Sequence, residues 1–266
     1  MTTVFFLFLF HQALGLMLAL AFVTERAGER FFKLCSAASA FMATCALYLL
    51  LRRFGLGGGG GAPGGAAYPA LFAAGLLSAV CMVLYNRAWH FGWRSPRRWC
   101  LALSLLSGAS VIVLSAPAAG RWLIIASALT SVLLLGATAA AMILGHYYLV
   151  VLDLPASALR KLTALLVASL GLRSLVVAAG LFGPVHAGLE GARLVASGLW
   201  SADGVFVWMR VLFGIAGPLS LIWFIWKTVE IRSTQSATGI LYVQLFLVMS
   251  GELLATYLRV AAGLPL

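Results

Sequence analysis

Three side chains are placed where chemistry would be expensive to maintain without a reason. His11, Arg173 and Glu252 each stand inside a long apolar stretch. An ionisable group at membrane depth is costly unless it is paired, so each needs a partner or a task. A histidine can donate, accept or carry a proton. A guanidinium and a carboxylate can pair or bind solute of the opposite sign. With a helical rise of about 1.5 Å per residue, His11 is expected about 20 Å above the inner edge of the hydrocarbon layer. Arg173 falls at about 17 Å and Glu252 at about 21 Å on the same scale. The three therefore share a layer and can meet.

Two further residues belong with them. Gln244, Glu252, Thr256 and Arg259 lie close to one face of a helix, and such a stripe faces protein or water rather than lipid. Arg210 lies near the outer end of the preceding stretch, which carries Gly217-Pro218 near its middle. A proline there removes a backbone hydrogen bond and predicts a kink. The candidate ligand- or proton-binding set is His11, Arg173, Glu252, Arg210 and Gln244. It reads as a polar pocket for a small molecule or for protons, or as a structural Arg173–Glu252 pair with His11 as a buried hydrogen-bonder. A third arrangement has the groups snorkelling separately to the membrane surfaces.

The surrounding sequence explains why these residues are exceptional. Of 266 residues, 63% are hydrophobic and only 9% charged, against about 25% charged in soluble domains. Mean hydropathy is +1.05. The expected fold is all-α, a polytopic bundle of about eight transmembrane helices forming one domain over 1–266. Stretches near 4–23, 34–51, 69–88, 100–118, 122–150, 162–183, 206–226 and 238–260 are long enough to span. The N-terminal stretch lacks a basic leader and a cleavage site, and reads as a retained first helix.

Basic residues set the orientation. Arg26, Arg30, Lys33, Arg87, Arg94, Arg97, Arg98, Arg160, Lys161, Lys227 and Arg232 fall in the first, third, fifth and seventh connections. Only Arg52, Arg53, Arg121 and Arg193 fall in the others. The positive-inside rule puts the odd connections in the cytoplasm and both termini outside. The net charge of +11 is then a topology signal and a contact for anionic lipid, not for nucleic acid. The eight tryptophans all fall near proposed helix ends, where indole prefers to sit.

Other motifs carry less chemistry. Residues 55–66 read as a flexible glycine linker. Residues 185–200 read as an interfacial amphipathic helix with His186, Glu190, Arg193 and Ser197 on one side. The turn Ile231 to Ser236 offers caps for the last helix. Cys35, Cys45, Cys81 and Cys100 form no CxxC or zinc spacing and read as small core residues. No metal site is expected. No HExxH, GxSxG or Walker sequence occurs, and Asp153 and Asp203 lie in connections, so no intramembrane aspartyl dyad forms. His90 and His146 lie at the cytoplasmic ends of the third and fifth helices, as interface anchors or as axial ligands of a haem b. A weak four-plus-four repeat is visible in Glu29-Arg30 against Arg160-Lys161, and in Arg94-Ser95 against Arg232-Ser233.

The eight-span plan, and the stretch Ser250-Gly251-Glu252-Leu253-Leu254 in the last helix, resemble the quinol-interacting membrane anchor of dimethyl-sulfoxide-reductase-type enzymes. The resemblance implies a quinone-interacting or anchoring subunit of a membrane electron-transfer complex, with redox partner subunits. The local sequences around His11 and Glu252 differ from that family's. On this reading His11 would hydrogen-bond a quinone oxygen and Glu252 would pass its proton outward, with Arg173 as counter-charge. The alternatives are a small-solute or proton-coupled transporter, and a structural or assembly subunit without ligand. The arginine-rich, lysine-poor composition fits a GC-rich bacterial genome, and hence a bacterial cytoplasmic (inner) membrane. Oligomeric state is not encoded in any of these features.

Overall fold

The computed structural model describes residues 1–55, 68–117, 121–151, 157–186, 204–231 and 233–262, with the side chains of 26, 182–186 and 262 excepted. Eight helices in it are long and apolar enough to cross a membrane. They are α1 (Thr2–Phe22), α2 (Glu29–Phe54), α3 (Tyr68–His90), α4 (Arg94–Ser115), α5 (Arg121–Val150), α6 (Ser157–His186), α7 (Gly204–Glu230) and α8 (Thr234–Ala262). No strand occurs among the described residues. This is the architecture of a multi-pass membrane protein. Every backbone polar group in a span must be satisfied within the chain, and helices do that segment by segment.

The helices overrun the spans expected from hydropathy. α2 starts at Glu29, α4 at Arg94 and α6 at Ser157. Arg30, Lys33, Arg97, Arg98, Arg160 and Lys161 are therefore in first turns of helices rather than in loops. Hydropathy detects where lipid begins, whereas the helix continues until its hydrogen bonds end. Glu29 bonds Lys33 one turn on, at 2.7 Å, which supports such an extension. Gly55, at φ 70°, closes α2. Most of the glycine linker, residues 56–66, and most of the expected interfacial helix, 187–200, lie outside the described residues. α6 itself continues to His186. Ser233 hydrogen-bonds Ser236 through its hydroxyl, at 3.0 Å.

α1 and α5 are central: 78% and 61% of their most apolar windows are buried, against less than half in the other six. They cross at Gly15 and Gly136. A Cβ on either glycine would strike the backbone of the opposite helix. Such close approach is how helices gain packing energy in lipid, where burial from water contributes nothing. On one side α1 to α4 form a ring of neighbours: α1 on α2, α2 on α3, α3 on α4, α4 back on α1. On the other, α5 to α8 repeat that ring, and α1 also packs on α8.

The outward faces are apolar, with Phe41, Tyr48, Leu76, Leu106, Leu175, Phe224 and Phe246 all exposed. That is a surface suited to lipid. Trp93, Trp99, Trp122, Trp208 and Trp223 are exposed near helix ends. Trp89 is also at a helix end, one residue before the last of α3, but it is turned into the protein. It is buried, stacked on Phe32 at 4.5 Å, with the Arg97 guanidinium 3.9 Å above its ring. The cation covers the face of the ring. All four cysteines are free; Cys35 and Cys81 are buried.

Candidate functional site: a charged cluster inside the bundle

The site is built on α8. Gly251 and Glu252 are adjacent, so they face α7 and the bundle centre respectively. Gly251 meets Gly214 of α7, and a Cβ on Gly214 would collide with the Arg210 guanidinium. The two glycines thus bring the helices together and leave a seat for Arg210. Between Arg210 and Pro218 the helix changes form. Leu212–Ala216 is a π turn, in which the Gly217 N–H reaches back five residues to the Leu212 carbonyl. Pro218 cannot donate to the Gly214 carbonyl, and the widened turn accommodates it.

Glu252 is fully buried and holds two guanidiniums. Arg173 of α6 donates through Nε to Oε1 and through Nη2 to Oε2, both at 2.9 Å. Arg210 donates through Nη2 to Oε1, also at 2.9 Å. Ser131 of α5 presents its hydroxyl to the same carboxylate. The other arm of Arg173 is anchored on α5: Nη1 donates to the Ser127 carbonyl at 2.9 Å and to Ser127 Oγ at 2.8 Å. The fork is bidentate, the arrangement in which arginine and carboxylate bind best.

His11 of α1 faces this cluster, one turn before the Gly15 crossing. A small cavity of about 10 Å³ is lined by His11, Ser127, Ser131, Arg173, Thr256 and Arg259. That is room for about one water molecule. Neither ring nitrogen of the buried His11 has a hydrogen-bond partner among the described residues. The same holds for Nε and Nη1 of Arg210 and for Nη2 of Arg259. Gln244 is also fully buried with both amide atoms unpartnered among the described residues. It sits two turns away along α8, outside the cavity lining.

The structure therefore brings His11, Arg173, Arg210 and Glu252 together, and leaves Gln244 as a separate buried polar group. Sequence reasoning had Arg259 on the polar stripe but not in the site. It missed Ser127 and Ser131, whose four-residue spacing puts both hydroxyls on one face of an apolar helix. Among the described residues, Glu252 is the one carboxylate in the cluster. Glu25, Glu29 and Glu230 lie at helix ends.

A second, larger space lies at the far end of α5. A cavity of about 390 Å³ with mainly apolar walls is lined by Arg30, Phe31, Leu34, Met142, Ile143, His146, Tyr147, Val150 and Tyr242. The Tyr242 hydroxyl and His146 Nδ1 are 3.0 Å apart. His90 is exposed at the end of α3 and does not line this cavity, so the structure does not pair His90 with His146 around a common group. No cluster of three or more metal-ligating side chains occurs among the described residues.

Fold and site together define a multi-pass, all-helical membrane protein with an ion-pair cluster buried among α5, α6, α7 and α8. No protein-family model, curated protein or solved structure matches the chain.

Proposed function

We propose that this chain is a small-solute transporter of a bacterial inner membrane, with both chain ends outside and the Arg173–Glu252–Arg210 cluster as its solute-binding centre. One observation carries the reading: side chains from α1, α5, α6, α7 and α8 converge at membrane depth on a cluster whose donors are not all used. Buried charge that merely fastens helices gains from complete pairing. The π turn beside Arg210 supports the same reading, because interrupted helices line the central sites of transporters and can change form as solute enters. The orientation rests on the excess of basic residues in the odd connections.

The test is reconstitution. Liposomes containing purified protein are compared with liposomes containing a variant in which Arg173→Met, Arg210→Met and Glu252→Leu remove the cluster as a unit. Uptake of small charged solutes by the first and not by the second supports transport. Equal leak through both, with both proteins folded, sinks it and leaves a structural subunit.

A second reading, a quinone-interacting or anchoring subunit of an electron-transfer complex, is favoured by a different observation. The Ser250–Leu254 stretch that resembles the quinol-interacting anchors now serves an arginine cluster, and the cavity beside His11 has no room for a quinone ring. The 390 Å³ cavity has that room, apolar walls, and a His146–Tyr242 pair to meet a carbonyl oxygen. Mild-detergent purification from the native membrane separates the readings: partner subunits and extractable quinone, both lost on His146→Leu, would favour this one.

A further inference from the structure

We infer that the cluster binds a compact inorganic anion of chloride size between Arg259, His11 and the Arg173–Glu252 pair. This deepens the transport reading by naming its class of solute. Glu252 is shared by Arg173 and Arg210, so among the described residues no carboxylate is left within ion-pair distance of Arg259, which lines the cavity. Arg259 lies in the last turn of α8 and is only partly exposed, and a largely buried charge without a counter-charge is more costly than a paired one. A bound anion removes that cost.

The donors face where the anion would sit. His11, 2% exposed, lines the cavity with both ring nitrogens unpartnered, and Arg259 lines it with Nη2 free among the described residues. Ser127, Ser131 and Thr256 add hydroxyls to the wall. An N–H of His11 and an N–H of Arg259 donate to one acceptor that has no hydrogen of its own. Water would satisfy some of these donors but none of the charge. Cavity size excludes larger anions: space for one water admits a monatomic ion with a small outward shift of side chains, not a dicarboxylate or a phosphate ester. α7 contributes through Arg210, which donates to Oε1 of Glu252 together with Arg173 and so occupies the carboxylate nearest to Arg259.

The experiment uses the whole protein in detergent, heated in sodium chloride and in sodium gluconate of equal ionic strength. A ligand that binds only the folded state raises the melting temperature with its concentration. The expected result is a higher melting temperature in chloride that climbs with added chloride, and no such climb in gluconate. Arg259→Gln should weaken the apparent chloride affinity roughly tenfold or more, the usual loss for a hydrogen bond to a charged group. Should that variant not fold, His11→Leu fills the cavity and should abolish the chloride response. Identical melting in both salts overturns the inference, as does a response undiminished in both variants. Chloride stabilisation without flux in liposomes keeps the anion site and removes transport. Flux of an uncharged solute without chloride stabilisation does the reverse.

Discussion

Helices α1–α4 and α5–α8 repeat one ring of neighbours, yet they hold their polar groups in opposite ways. On α2–α4 of the first ring the buried hydroxyls are each satisfied by a nearby carbonyl. Ser36 donates to Phe32, Ser39 to Cys35, Ser78 to Ser104 across α3 and α4, and Ser107 to Leu103. α1 holds His11 and Gln12 buried, with both His11 ring nitrogens and Gln12 Oε1 unpartnered among the described residues. The first ring's charges stay at helix ends: Glu25, Arg94, Arg97 and Arg98 line an open space of about 1130 Å³ at one rim, and Arg52 and Arg53 lie in the last turn of α2 at the other. In the second ring Glu252, Arg173 and Arg210 are at most 1% exposed and the space beside them is minimal. The first ring is what helices need in order to pack in lipid. The second carries charge well beyond that need, so function is to be sought there. Substitutions in the two rings should therefore separate widely in cost.

The largest effect is expected at Glu252. Glu252→Gln leaves Arg173 and Arg210 buried without their shared carboxylate, and breaking a buried ion set by one member costs about 3–5 kcal/mol. Thermal unfolding in detergent would show it. Removing Arg173, Arg210 and Glu252 together by apolar residues should restore most of that loss, since a fully apolar replacement strands no charge. A single Glu252→Gln variant as stable as wild type would erase the distinction between the rings.

Next comes the contact between the rings. At Gly136 a Cβ would run into the Gly15 backbone. Gly136→Ala must push α1 away from α5, at a cost of about 1–3 kcal/mol for overpacking. It should also disturb the cavity, because His11 is one turn from the crossing. Loss of chloride response in this variant, with unfolding only moderately changed, would tie the crossing to the site.

How much of this was readable beforehand follows from the energetics. Spans are legible because lipid demands about 20 apolar residues in a row, and all eight appear as helices. Helix ends were misplaced, since charged first turns such as Glu29–Lys33 leave the oil but stay helical. His11, Arg173 and Glu252 stood out because an ionisable group in an apolar run is costly wherever it points. The sequence marks Arg210, but not its bond to Glu252. That bond depends on Gly214 and Gly251 letting two backbones approach, and a glycine in a membrane helix does not announce its partner. Ser127 and Ser131 gave even less signal. A serine in such a helix usually bonds its own backbone, as Ser107 does, so its type alone does not mark a site.

A smaller effect is expected in the first ring, where Asn86 of α3 donates to the Lys33 carbonyl at 2.8 Å and to Ser36 Oγ at 2.9 Å on α2. Interhelical hydrogen bonds in membrane proteins average about 0.6 kcal/mol and reach about 1.7. Asn86→Ala should fall in that range by thermal unfolding and leave any anion response untouched. A loss as large as that at Glu252 would mean that the first ring, too, depends on a buried polar anchor.

The smallest effect is expected two residues from the most heavily bonded side chain of all. Gly171 lies on α6 close to Arg173, but it is exposed, and a Cβ there would meet nothing within 4 Å. Alanine is favoured over glycine within a helix by up to about 1 kcal/mol. Gly171→Ala should therefore leave stability unchanged or raise it slightly, with uptake and chloride response as in wild type. The comparison is sharp because sequence distance from Arg173 is trivial while the helical face differs: one face meets lipid, the other meets Glu252 and Ser127. A clear loss of stability or of chloride response at Gly171 would mean that α6 presents a different face to the bundle. The bidentate Arg173–Glu252 bond, on which the contrast between the rings depends, could not then form as described.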